Sequence, residues 1–233
     1  QNGTEKGMSY IDFENVRKVY KSGEVEIEAL HDVSFSVEKG ELCVIVGPSG
    51  AGKTTLLNIL GGMDGLTSGR ILLDGENISA LKKARLVGYR RQDIGFVFQF
   101  YNLIENLTAL ENLSGSLIPK AGKHLIRRQL VNSVLEEASR WFDREELQKR
   151  IRDWPLPERL RLAYYKWYLI HPRLLICLFP FLGQESLYHE QIIDLLVLCA
   201  RRGMAVLIVS SAIDTICEKT RNPEFLRRLR YLD

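Results

Sequence analysis

Residues 41–63 read ELCVIV (41–46), GPSGAGKTT (47–55) and LLNILGGM (56–63), and this stretch decides the fold. Its first part is nearly continuously apolar, as a strand covered on both faces is. Its last part carries on as a helix. Between them Gly47, Pro48, Ser49, Gly50, Ala51, Gly52, Lys53 and Thr54 fit G-x-x-x-x-G-K-[ST] in full, and Thr55 follows. Glycines let the backbone wrap a phosphate closely, with successive N–H groups pointing inward. The helix that follows presents its positive end to the same anion. In such a loop the lysine reaches the β- and γ-phosphates and the hydroxyl ligates Mg²⁺, which gives those roles to Lys53 and Thr54. A chance glycine turn would lack the strand before it and the helix after it.

Outward from this loop, YIDFENVRKVY (10–20) and ALHDVSFSV (29–37) alternate apolar with polar residues, as half-buried antiparallel strands do. GRILLDGENI (69–78) reads as a hairpin around Asp74-Gly75, and DIGFVFQ (93–99) as a buried strand. Residues 103–170 read as mostly helical, with VNSVLEEASRWF amphipathic and ERLRLAYYKWYLI longer and rich in aromatics. Alternation then returns: strand RLLICLF (173–179), helix HEQIIDLLVLCARRG (189–203), strand MAVLIVS (204–210). The expectation is an α/β protein with a mixed sheet and a helical insertion.

Composition narrows the rest. The chain has 233 residues, 45% hydrophobic and 26% charged, enough for a sizeable core. A net charge of +3, with cations and acids interspersed, excludes an argument for a nucleic-acid partner. Cys43, Cys177, Cys199 and Cys217 are scattered, so neither a zinc site nor a disulfide framework is indicated, and a reducing compartment fits. Residues 1–7 read as a tag remnant or a disordered start, without the apolar core of a secretory leader. The apolar run at 174–179 is far too short to span a bilayer, so direct membrane insertion is not expected.

Across residues 8–113 the chain resembles the ABC ATPases, most of all the subgroup serving lipoprotein-release and macrolide-export systems. ENVRKVYKSGEVEIEALHDVSFSVEKGE leads into the glycine loop as it does there, and GFVFQFYNLIENLTALENL (95–113) matches the family's Q-loop region. The resemblance implies a P-loop NTPase cassette with an antiparallel β subdomain and a helical subdomain, in one domain over 8–233. It implies ATP and Mg²⁺ as ligands. It places Tyr20 where the family's aromatic stacks on adenine, and Gln99 where a glutamine helps ligate Mg²⁺ and senses the transmembrane subunit.

The second half departs from that pattern. His171-Pro172 stands where the family ends a helix with Asn-Pro, and Glu158, Arg161 and Ala163 then match the helix before it. In this register the signature L-S-G-G falls on Trp154-Pro155-Leu156-Pro157. The magnesium-linked aspartate falls on Leu178, and the glutamate that polarises the attacking water on Phe179. Pro180 matches, Glu185 replaces the D-loop aspartate, and the switch histidine falls on Ser211. Proline has no N–H, and leucine adds bulk where a phosphate must approach. Leu113-Ser114-Gly115-Ser116 mimics the signature but precedes the helical part, and reads as a loop or helix cap. Trp154, Tyr164, Tyr165, Trp167 and Tyr168 read as core packing, with a new protein or ligand surface as the other possibility.

The resemblance therefore implies an ATP-binding subunit of an ABC-type membrane complex that hydrolyses ATP poorly or not at all. Two other readings stay open. One is an active ATPase with a partner-completed site, and the other a scaffold or regulatory subunit that uses no nucleotide. Implied partners are a transmembrane permease subunit and a second ATP-binding subunit, as homo- or heterodimer. The implied location is cytoplasmic, peripheral to the membrane through those partners.

Overall fold

The computed structural model describes residues 9–97, 102–117, 124–178, 186–210 and 229–231. Strands β3 (Leu42–Val46), β6 (Ile94–Val97), β7 (Leu174–Leu178), β8 (Ala205–Ser210) and β9 (Leu229–Tyr231) make one sheet, ordered β6-β7-β8-β3-β9. Every pair in it is parallel. The period of two sorts its side chains. Leu42, Val44, Val46, Leu175, Cys177, Val206 and Ile208 face one apolar cluster. Cys43, Ile45, Leu174, Ile176, Ala205, Leu207 and Val209 face the other. That two-sided burial is why these strands are apolar throughout. Each buried Val, Leu or Ile among them contributes about 1.5–3 kcal/mol.

Strands β1 (Ser9–Ser22), β2 (Val25–Glu38), β4 (Ser68–Leu73) and β5 (Glu76–Asn77) form a separate antiparallel sheet, ordered β2-β1-β4-β5. Among the described residues parallel and antiparallel strands are thus both present, as expected, but they divide between two sheets rather than mixing within one. Helix α1 (Lys53–Leu60) buries Leu56, Leu57, Ile59 and Leu60 in the cluster it shares with the antiparallel sheet. Helix α2 (Lys83–Gly88) precedes β6.

Between β6 and β7 lie α3 (Ala109–Leu117), α4 (His124–Ala138) and α5 (Leu156–Ile170), and α6 (Ser186–Arg201) joins β7 to β8. A capping box starts α3: the Thr108 N–H donates to Glu111 Oε2 (2.8 Å) and the Glu111 N–H to Thr108 Oγ1 (3.1 Å). Ser114, Gly115 and Ser116 lie inside this helix, so their reading as a loop or cap is corrected. The Ser114 hydroxyl donates to Leu110 O (2.7 Å) and that of Ser116 to Asn112 O (3.0 Å). Satisfied within the helix, neither serine interrupts it.

Helix α5 buries Tyr164, Tyr165 and Tyr168 in the first cluster, with Trp154 beside them. Tyr165 stacks on Tyr168 at 5.6 Å and meets Phe142 edge-on at 5.3 Å. Trp167 is partly buried and donates its Nε1–H to Phe96 O (3.1 Å). Core packing accounts for all five aromatics. His171 closes α5 in the left-handed conformation (φ 57°), and Pro172 cannot continue the helix. This is the helix end on which the register of the second half depends.

Candidate functional site

The glycine loop leaves the C-terminal end of β3, which lies between β8 and β9. Gly50 (φ +92°) and Gly52 (φ +80°) take left-handed conformations that side chains disfavour. At Gly52 a Cβ would also stand 2.1 Å from Ala29 O, so no larger residue fits there. Ser49 and Gly50 are exposed at the outer arc, and the Ala51 N–H closes a turn on Pro48 O (3.2 Å).

Gly52 caps α1, whose first intrahelical bond runs from the Leu56 N–H to Gly52 O (2.9 Å). No acid occupies its first turn, so the positive end of the helix is not neutralised there. Lys53 folds its ammonium into the loop and donates to Gly47 O at 2.6 Å and to Pro48 O. Burial pulls Lys53 below the ordinary lysine range. An anion in the loop would restore the charged form that burial disfavours. The Thr54 side chain is exposed and Thr55 half-buried.

Tyr20, on β1, is 40% exposed, and its hydroxyl donates to Asp64 Oδ2 (2.7 Å). Lys18 donates to Asp64 Oδ1 (2.7 Å) and lies 4.7 Å from the Tyr20 ring centroid. Nothing in the sequence flags Asp64 or Lys18, because 44 and 46 positions separate the partners.

Among the described residues, the last in each strand of the parallel sheet are Val97, Leu178, Ser210, Val46 and Tyr231, none of them an acid. Leu178 pairs in register with Val209, which pairs with Ile45. It therefore lies two strands from β3, about 10 Å away. Its side chain is half-buried against the second apolar cluster. Gln99, Phe179, Pro180, Glu185 and Ser211 lie outside the described residues.

Trp154 to Pro157 form the start of α5. Trp154 is buried, whereas Leu156 is 61% exposed. Arg159 covers the turn, donating from Nε to Trp154 O (2.8 Å) and from Nη2 to Arg152 O (2.9 Å), and it pairs with Glu105 at 3.2 Å. Among the described residues no helix is long and apolar enough to cross a membrane.

A parallel sheet with a glycine loop at one strand end, an antiparallel sheet beside it and helices inserted between two strands define a P-loop nucleotide-binding cassette. The ABC transporter family model matches residues 30–177, and the chain belongs to that family as an ATP-binding domain. It is 34% identical over 215 residues to an ABC transporter ATP-binding protein of Thermotoga maritima, covering 92% of this chain and 89% of that one. It is 34% identical over 206 residues to the macrolide export ATP-binding/permease protein MacB of Brucella abortus, covering 88% of this chain but 31% of that longer protein. Among solved structures it is similar to a dimeric ATP-binding cassette in a post-hydrolysis state bound to ADP and Pi. There the TM-score is 0.73 and the identity 31%, over 96% of this chain and 94% of that one. A likeness to cbiO1 of Clostridium perfringens (TM-score 0.77, 21% identity, 97% and 85% covered) concerns the fold alone.

Proposed function

We propose that this ATP-binding subunit takes up ATP through Gly47, Pro48, Ser49, Gly50, Ala51, Gly52, Lys53, Thr54 and Thr55, with Tyr20 against the base, and hydrolyses it slowly or not at all. The subgroup is that of the macrolide-export relative, and the partner is a transmembrane permease. One contrast supports the reading: the glycine loop is complete in sequence and caps α1 with Gly52, while Leu178, the last described residue of β7, is apolar and half-buried against the core.

Loop and helix supply what a triphosphate needs: open N–H groups, a positive helix end and an ammonium already partly stripped of water. Magnesium takes a shell of hard oxygens. The exposed Thr54 hydroxyl suits that shell beside phosphate and water, and Gln99 would add an amide oxygen. Leu178 suits it poorly. When bound, the ion neutralises charge on the β- and γ-phosphates. Hydrolysis further needs a carboxylate to orient water and a sensor for the γ-phosphate, and the register puts Phe179 and Ser211 at those places. Loss of one such group costs about 10²–10⁴ in rate.

The start of α5 bears on the dimer. An N–H-lined signature reaches a partner's nucleotide, but Pro155, Leu156 and Pro157 offer few N–H groups and much bulk. A symmetric ATP sandwich of two copies is therefore not the proposed state, and the partner in a nucleotide-bound pair is a different cassette.

Calorimetric titration with ATP, with and without Mg²⁺, tests the reading, with Lys53→Ala as control. Binding of about −7 to −8 kcal/mol, in the micromolar range, lost in the variant, is the expected result. Absence of binding by the chain would overturn the proposal in favour of a scaffold.

A further inference from the structure

The contacts around Tyr20 extend the proposed nucleotide site to two residues that no motif marks. Asp64 lies just beyond α1 and is fastened to it: the Met63 and Asp64 N–H groups donate to Asn58 O at 2.8 and 3.2 Å. Its carboxylate accepts from Tyr20 Oη on one oxygen and from Lys18 Nζ and the Gly65 N–H on the other. Burial works against this charge, yet those hydrogen bonds hold the carboxyl below the ordinary aspartate range. Lys18 is itself largely covered, at 13% exposure, and donates also to Gly65 O (2.7 Å).

The same segment is laced to β1. The Thr67 N–H donates to Arg17 O (2.9 Å), and the Val19 N–H donates to Thr67 Oγ1 (2.9 Å). The strand that carries Tyr20 is thus joined to the C-terminal end of α1, and the phosphate loop lies at the other end. Eight residues of helix span about 12 Å, comparable to the reach of a nucleotide from base to terminal phosphate.

The surroundings of the ring suit a purine. Tyr20 pairs with Ile27 and Ser22 with Val25, so Tyr20, Ile27 and Val25 share one side of the β1–β2 ribbon. Ile27 and Val25 are each 60% exposed. This gives an open apolar platform, with an ammonium 4.7 Å from the centroid of its ring.

We infer that Asp64 and Lys18 are positioning residues: they fix the Tyr20 ring at a set distance from the phosphate loop, so that a nucleotide held by its phosphates finds its base platform ready. The inference rests on Tyr20 as the base contact proposed above. It assigns Asp64 no contact with the nucleotide, only an effect through Tyr20.

The test uses the full chain and two probes: ATP, and inorganic tripolyphosphate, which carries phosphates without a base. Tyr20→Ala should weaken ATP binding about 10-fold and leave tripolyphosphate unchanged. Asp64→Asn and Tyr20→Phe should each weaken ATP about 3- to 10-fold with the same selectivity. Their combination should be no weaker than either alone, because both cut one hydrogen bond. Lys18→Met should follow the same pattern. If Asp64→Asn binds ATP like wild type, or loses both probes alike, the positioning role falls while a selective Tyr20→Ala leaves the base contact standing. If Tyr20→Ala fails to discriminate the probes, the base contact falls and takes this inference with it. Tripolyphosphate binding reports in each variant that the loop is folded.

Discussion

Helices α1 and α5 begin in opposite ways. Before α1 stand Gly50 and Gly52 at positive φ, then Lys53, Thr54 and Thr55 in the first turn, where backbone N–H groups have no partner within the helix, and with no acid there. Before α5 stands Pro155, then Leu156, then Pro157 without an N–H, then Glu158. A phosphate approaching α1 meets donors and an ammonium. One approaching α5 meets an exposed leucine side chain and a carboxylate. Both helices bury an apolar face, Leu56, Leu57, Ile59 and Leu60 in α1 and Leu162, Ala163, Tyr164, Tyr165 and Tyr168 in α5, while their starts differ.

Four variants probe the two helix starts and the end of β7, in order of decreasing expected effect. Gly52→Ala should be worst, because a Cβ meets Ala29 O and the residue is left-handed. A loss of more than about 2 kcal/mol in urea unfolding, with loss of ATP binding, is expected. A tolerated alanine would mean that the loop is not rigid. Lys53→Ala should fold normally and bind ATP about 10- to 100-fold more weakly, as loss of charge-assisted hydrogen bonds implies. Unchanged affinity would dissolve the distinction between the two helix starts.

Leu178→Asp should cost about 1–3 kcal/mol, read from thermal unfolding, because its side chain is half-buried among apolar neighbours. Together with Phe179→Glu it should make ATP binding more dependent on Mg²⁺. If neither magnesium dependence nor turnover changes, the placement of these residues at the lost carboxylates is wrong. Leu156→Ser should alter stability by less than about 0.5 kcal/mol, since the side chain is 61% exposed at a helix start. A larger loss in the isolated chain would show that Leu156 packs against something within it.

Local signals were legible in the sequence, and contacts across it were not. The glycine loop is a contiguous motif, and two-sided burial writes itself into β3, β7 and β8 as apolar runs. The turn at Asp74-Gly75 and the end of α5 at His171-Pro172 are equally local. The division into two sheets depends on which strands pair at long range, and alternation within each strand is blind to that. Leu113–Ser116 misled because a serine bonded to its own helix looks, as sequence, like a serine that breaks one. Lys18 and Asp64 could be found only once β1 and the end of α1 were placed side by side.

In the proposed state, phosphate binding survives where hydrolysis does not. Phosphate release from the chain held at saturating Mg²⁺-ATP, with Lys53→Ala as the blank, tests it most directly. Release indistinguishable from that blank, while ATP is bound, is the expected result. Turnover on the order of 1 s⁻¹ or faster, abolished in the variant, would contradict it.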